Sequence, residues 1–124
     1  MSRWTDDELE NIAAAEELQL ASARHDGTVR RPVTIWVVRH GDDLYVRSVR
    51  GRTSGWFRGV QDRREGHISA GDVDKDVAFV EVHDVDDEVD DAYRSKYGGR
   101  YPASYVDPMV SPDVRATTLK LVPR

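Results

Sequence analysis

Between positions 47 and 58 the chain concentrates side chains suited to holding a phosphate. Arg47-Ser48 is followed by Arg50-Gly51-Arg52-Thr53-Ser54-Gly55, then by Trp56 and Arg58. A phosphate calls for charge-assisted guanidinium forks, hydroxyl donors and exposed backbone N–H groups, and glycine lets the ligand approach closely. Trp56 offers a face for stacking on a planar ring; its competing role is an ordinary core tryptophan. Arg30-Arg31-Pro32 precedes a β-branched run. There Arg30 and Arg31 either reach a ligand at a barrel rim or serve as edge-strand charges that block aggregation. In an extended strand Arg47 and Ser48 point to opposite faces, so they converge on one ligand only if the strand bends or ends there.

Other chemistries find little support. There is no cysteine, which removes disulfides, thiolate metal sites and cysteine nucleophiles. Asp72-Val73-Asp74-Lys75-Asp76 begins like a calcium loop. It then places Val77 where glycine is needed and His83 where glutamate is needed. His25, His40, His67 and His83 show no i, i+4 pairing, so no metal is expected. No Gly-x-Ser-x-Gly elbow supports a hydrolase, and no side chain stands out as a catalytic acid or base.

The formal net charge is −5, and its distribution is uneven. Residues 1–28 hold two Arg against seven Asp/Glu, residues 29–64 nine Arg against three Asp, and residues 65–124 seven Lys/Arg against thirteen Asp/Glu. The basic middle third uses arginine alone, which suits bidentate recognition of phosphate or carboxylate. The alternative is that these arginines pair with the acidic flanks. A pI near 5.3 argues against a nucleic-acid partner. No apolar run is long enough for a membrane span, and the N-terminus does not read as a signal peptide, so a cytoplasmic location is expected.

The elements that must position these residues are mostly strands. Thr5 with Glu8 forms a capping box for a helix at about 5–15. Residues 18–23 alternate as a strand, and Asp26-Gly27 signals a hairpin turn. Residues 33–38, nearly all apolar, read as a central strand buried on both faces. Further strands are expected at 44–49, around Trp56-Phe57-Arg58, at 67–70, at 77–82 after a turn at Asp74-Lys75, and at 117–122. A second helix runs from about residue 86 to Gly98-Gly99, and residues 100–114, with three prolines, read as an irregular loop. The expectation is one α+β domain over 1–124. Its core is an antiparallel split β-barrel of six to seven strands with two flanking helices.

Several stretches carry a family resemblance. They include Asp26-Gly27-Thr28 with Arg31-Pro32-Val33, Ile35-Trp36-Val37-Val38, and Leu44-Tyr45-Val46-Arg47-Ser48-Val49-Arg50-Gly51. Gly55-Trp56-Phe57-Arg58, Ala92-Tyr93-Arg94-Ser95-Lys96-Tyr97 and Thr117-Thr118-Leu119 add to them. The chain resembles the bacterial family called domain of unknown function 2255. That family is similar in pattern to split β-barrel proteins that bind flavin mononucleotide (FMN) or the deazaflavin coenzyme. The resemblance implies a homodimer and a basic strand-turn-strand, 30–34 followed by 45–50, holding a phosphate-bearing small molecule. Arg47, Ser48, Arg50 and Arg58 would grip the phosphate, Arg30 and Thr34 would assist, and Trp56 would cover the ring. The Gly-Arg-Lys-Ser-Gly phosphate stretch of deazaflavin-dependent reductases is replaced here by Asp26-Gly27-Thr28-Val29-Arg30. Two alternatives stand beside an oxidoreductase-like protein: a cofactor-free module for small anions, and a structural dimerisation domain.

Overall fold

Helix α1 (Asp6–Ala14) starts where the capping pattern places it. The Thr5 hydroxyl accepts the Glu8 N–H at 3.1 Å, and the Glu8 carboxylate accepts the Thr5 N–H at 2.9 Å. Leu9 and Ile12 leave the opposite face buried. These details come from a computed structural model that describes residues 3–124.

Seven strands follow: β1 (Leu18–Ser22), β2 (Val33–Ile35), β3 (Val38–His40), β4 (Asp43–Val46), β5 (Glu65–Ala70), β6 (Val73–Glu81) and β7 (Leu119–Pro123). They form one sheet in the order β2-β1-β5-β6-β7-β4-β3, and every neighbouring pair is antiparallel. The two edge strands of this sheet are consecutive in sequence, separated only by Trp36 and Val37. Three peptide steps span at most about 11 Å. The sheet must therefore roll round until its edges meet at this joint, which gives the split barrel.

The run 33–38 is thus not a central strand buried on both faces. It is two short edge strands broken at Trp36-Val37, with Thr34 exposed and Val37 and Val38 buried. The Val37 backbone groups freed by the break find partners on helix α3 (Asp86–Tyr97). The Tyr97 hydroxyl accepts the Val37 N–H at 3.2 Å and donates to the Glu16 carbonyl at 2.7 Å. Lys96 Nζ donates to the Val37 carbonyl at 2.7 Å. The Trp36 ring stacks on Tyr97 with centroids 4.0 Å apart and planes within 6°.

Strand alternation divides the apolar side chains into two clusters. Leu44 and Val46 join Leu9, Ile12, Leu20, Phe57, Val77 and Phe79 inside the barrel. Tyr45 faces outward onto Val89, Tyr93 and Tyr97 of α3 and onto Val106, Met109 and Val114 beyond it. The second cluster accounts for order in the proline-containing stretch. Instead of an irregular loop it forms α4 (Ala103–Val106), a 3-10 turn (Asp107–Val110) and α5 (Pro112–Arg115), each placing one apolar side chain against α3.

Two other expectations are corrected. Trp56-Phe57-Arg58 is helical, at the start of α2 (Gly55–Arg63), because Phe57 and Val60 bury together at helical spacing. Among the described residues there are accordingly five helices rather than two. The β5–β6 turn lies at Gly71-Asp72 rather than Asp74-Lys75; Gly71 has φ +56, and Asp74 and Asp76 sit on the strand beside His67. Among the described residues no helix is long and apolar enough to cross a membrane.

Gly66 of β5 lies opposite Ser22 of β1, where an added Cβ would drive into the Ala21 carbonyl oxygen and meet Phe79 at 3.0 Å. Backbone cannot yield as a side chain can, so Gly66→Ala is expected to destabilise the fold by about 3 kcal/mol in urea titration. His67 hydrogen-bonds Asp76 at 2.8 Å and also pairs with Asp74. The Asp76 bond first, then Asp74, raises the imidazole above its ordinary value. The resulting stability is fully present below the unfolded value and disappears as pH rises through the raised folded one. His67→Gln should therefore lower stability by under about 1 kcal/mol in mildly acidic buffer and leave it unchanged in alkaline buffer.

Candidate functional site

The arginines of the basic segment divide into a buried one, several paired ones and some free ones. Arg47 is 1% exposed. Strand β4 ends at Val46, and the guanidinium turns inward beneath α3. Its Nη1 donates to Asp90 at 2.5 Å and to the Met109 carbonyl at 2.9 Å. Its Nε donates to Thr118 at 2.8 Å, and its Nη2 donates to the Asp86 carbonyl at 3.0 Å. Every nitrogen of the fork is thus committed, and the Tyr93 ring lies 5.6 Å from its centre. Four of the five Arg47 N–H groups are spent on protein acceptors, with Asp86 a further 3.7 Å from Nη2, which leaves a single donor for the expected phosphate grip.

Ser48 is buried too; its hydroxyl donates to the Gly51 carbonyl at 2.8 Å and its N–H to Thr117 at 2.9 Å. It shapes the turn that reverses the chain at Gly51, where φ is +76, and presents nothing to a ligand. Arg52 and Arg63 pair with Glu81 and Glu65. Among the described residues Arg50 and Arg58, both exposed, have no carboxylate within 4.0 Å.

Two hollows lie on either side of the first turn of α2. One is a polar cleft of about 600 Å³ lined by Arg30, Gly55, Arg58, Gly59, Gln61 and Asp62. Gly55, Arg58, Gly59 and Asp62 recur at i, i+3, i+4 and i+7, so one helix face forms its wall. Arg30 reaches the cleft while donating to the Ala23 carbonyl at 2.8 Å, with Asp62 3.7 Å away. Gly59 makes room for it, since a Cβ there would lie 2.5 Å from the Ser22 hydroxyl and 3.3 Å from Arg30 Nη1. The first backbone N–H groups of α2 have no helical acceptor, and Ser54 provides no side-chain cap.

The other hollow is an apolar cavity of about 360 Å³ at the split itself. Thr34, Ile35 and Trp36 line it from one sheet edge, and Val49 lines it from beyond β4. Trp56, Tyr105 and Met109 close it from the helices. Thr34 is exposed and exchanges hydrogen bonds with Gln19. Trp56 is half-buried and meets Phe57 edge-on at 5.8 Å. Val49 and Tyr105 are 54% and 60% exposed at the mouth. Arg50 opens onto a separate groove with Arg52 and Thr53.

The structure therefore brings Arg30 and Arg58 together in the cleft and sets Thr34 and Trp56 in the adjoining cavity, whose wall the buried Arg47 also borders, while Ser48 and Arg50 line neither. Sequence reasoning missed Trp36, Tyr105, Met109, Gly59 and Asp62. The i, i+3, i+4 recurrence of Gly55, Arg58 and Gly59 was the available signal for the cleft.

Arg47→Met is expected to cost about 3 kcal/mol of stability, because it leaves the Asp90 carboxylate, only 8% exposed, with Arg115 at 3.1 Å as its remaining charged partner. Replacing Asp90 with Leu in the same protein should restore part of the loss in urea titration. Loss of ligand affinity without loss of stability would contradict this assignment.

By fold, the chain is similar to split-barrel proteins of known structure, all at low identity. HutZ, the heme storage protein from Vibrio cholerae, superposes with a TM-score of 0.66 at 14% identity, covering 98% of this chain and 91% of that one. A FAD-binding protein from Mesorhizobium loti gives 0.58 at 17%, covering 98% and 91%. A structure described as F420 reductase gives 0.56 at 17%, covering 93% and 90%. No curated protein matches the chain by sequence. The model of one bacterial family, described as "Uncharacterized protein conserved in bacteria (DUF2255)", matches residues 8–121, and the chain belongs to that family.

Proposed function

We propose that the chain binds a phosphate-bearing flavin-type cofactor, FMN or the deazaflavin coenzyme, as a small cytoplasmic oxidoreductase-like protein. The observation that carries this reading is the adjacency of two hollows of opposite character. A cleft with two guanidiniums at the uncapped start of α2 lies next to an aromatic-walled cavity, Gly55 lining the first and the following residue, Trp56, the second. A ribityl phosphate and a tricyclic ring need that pairing of charge and apolar surface. The residues fit the group: Arg30, Arg58 and the α2 amides hold the phosphate, and Trp36, Trp56 and Met109 enclose the ring. Thr34 offers a hydroxyl at the ring edge. The cofactor, when bound, supplies the hydride chemistry.

Asp62 within the cleft offsets part of the cationic field, which favours a phosphate monoester over a more highly charged group. A second copy packed over Val49 and Tyr105 would seal the cavity from water, so a homodimer belongs to this proposal.

Titration of the purified protein with FMN and with the deazaflavin coenzyme, followed by absorbance after desalting, tests the reading. Saturable binding near one per chain is expected. Arg58→Ala should weaken it by about tenfold or more through loss of a charge-assisted contact, with stability unchanged. If inorganic phosphate binds but neither cofactor is retained, the chain is a cofactor-free anion-binding module. If neither occurs, the barrel has a structural role.

A further inference from the structure

The chain has three lysines, Lys75, Lys96 and Lys120. They stand in different surroundings. Lys75 is paired with Glu8 at 2.7 Å. Lys120 lies on β7 and is partly exposed. Lys96 is half-buried on α3, and among the described residues no carboxylate lies within 4.0 Å of its Nζ. It donates to the Val37 carbonyl at 2.7 Å and rests 5.1 Å from the centre of the Tyr97 ring. It also lines an open groove of about 460 Å³ beside Arg39, His40, Glu88, Asp91 and Ser95.

We propose that Lys96 is a site of acylation by acyl phosphates, and that its modification loosens the Trp36-Val37 joint between the two sheet edges. An amine that donates one hydrogen to Val37 keeps its lone pair free toward the groove once it is neutral. Arg39, with only its Nε engaged by the Gly41 carbonyl, provides a cationic seat for the phosphate. The nitrogen lone pair attacks the acyl carbon, the C–N bond forms as the C–O bond to phosphate breaks, and phosphate leaves with the electron pair. The proton released from nitrogen passes to water, and nothing is oxidised or reduced.

Burial supports this nucleophilic role. It holds the Lys96 ammonium down to about 8, with Arg100 acting in the same direction and Glu16 opposing. About one amine in ten is then neutral at pH 7, against roughly three in ten thousand for an ordinary lysine. Nucleophilicity falls with basicity, which cuts the net advantage to about tenfold. The product amide has no charge, so the charge-assisted bond to Val37 and the contact with the Tyr97 ring both weaken. Those two contacts flank the joint that carries Trp36, a wall of the apolar cavity.

The experiment treats the purified chain with acetyl phosphate near neutral pH, both folded and in concentrated urea. Occupancy of each lysine is then read by peptide mass mapping. In the folded protein Lys96 should be modified about tenfold faster than Lys75 and Lys120, and in urea the three should react alike. Hydrogen exchange at the Val37 amide should accelerate after modification. Equal or slower reaction at Lys96 in the folded chain would overturn the proposal, as would a preference that persists in urea. Unchanged Val37 protection at full Lys96 occupancy would overturn the link to the joint. None of these readings involves a cofactor, so they stand apart from the flavin assignment.

Discussion

Two residues, Trp36 and Val37, join the opposite edges of a seven-stranded sheet, and most of the architecture follows from that short tether. An open antiparallel sheet of this width would expose two rows of unpaired backbone groups. Here the tether forces the edges together, and the residual gap becomes the apolar cavity. The tether cannot itself belong to either ladder. The Val37 N–H and C=O are instead satisfied by Tyr97 and Lys96, which ties α3 against the barrel. The Trp36 ring, stacked on Tyr97, forms one wall of that cavity.

The arginine-rich segment does several unrelated jobs. Arg47 ties the end of β4 to α3, to the Met109 turn and to the approach to β7 through four hydrogen bonds. Its desolvation is offset by Asp90 and, at 3.7 Å, by Asp86. An ion pair of this kind adds little net stability compared with an apolar core, but it tolerates no half-removal. Arg52 and Arg63 anchor local turns to the sheet. Arg58, exposed and without an ion pair, can meet an incoming anion at low reorganisation cost, and Arg30 is already held in place by the Ala23 carbonyl.

Local signals were legible in the sequence. The capping box at Thr5 and Glu8, the Asp26-Gly27 turn and the apolar spacing of α3 all report on contacts within a few residues. The strand reading of Trp56-Phe57-Arg58 failed because three residues carry no period. The helix shows itself only when Val60 is counted with Phe57. The run 33–38 looked like a central strand because its composition is that of one; the break depends on Tyr97 and Lys96, some sixty residues away. The inward turn of Arg47 was likewise invisible, since an arginine that grips phosphate and one that grips Asp90 are the same letter. Of the residues around 47–52, Arg47 borders the cavity but is held by Asp90, and Ser48 is held in a turn, while Arg30, Thr34, Trp56 and Arg58 lie beside the hollows.

The placement of β7 has a kinetic meaning. Lying between β6 and β4, it is, among the described residues, the one strand that joins the β3–β4 hairpin to the rest of the sheet by a ladder, and Trp4 reaches it across 117 residues to bond the Leu121 carbonyl. The β5–β6 hairpin forms from neighbouring residues and has little loop entropy to overcome. The central seam instead waits for β7 to pair with β4 and β6, strands that lie far back along the chain. Such non-local pairing belongs to the slow end of the folding spectrum, milliseconds to seconds for small domains. Until the seam forms, β4 and β6 both present bare edges, and the interval before β7 docks is when this chain is most exposed to pairing with its neighbours.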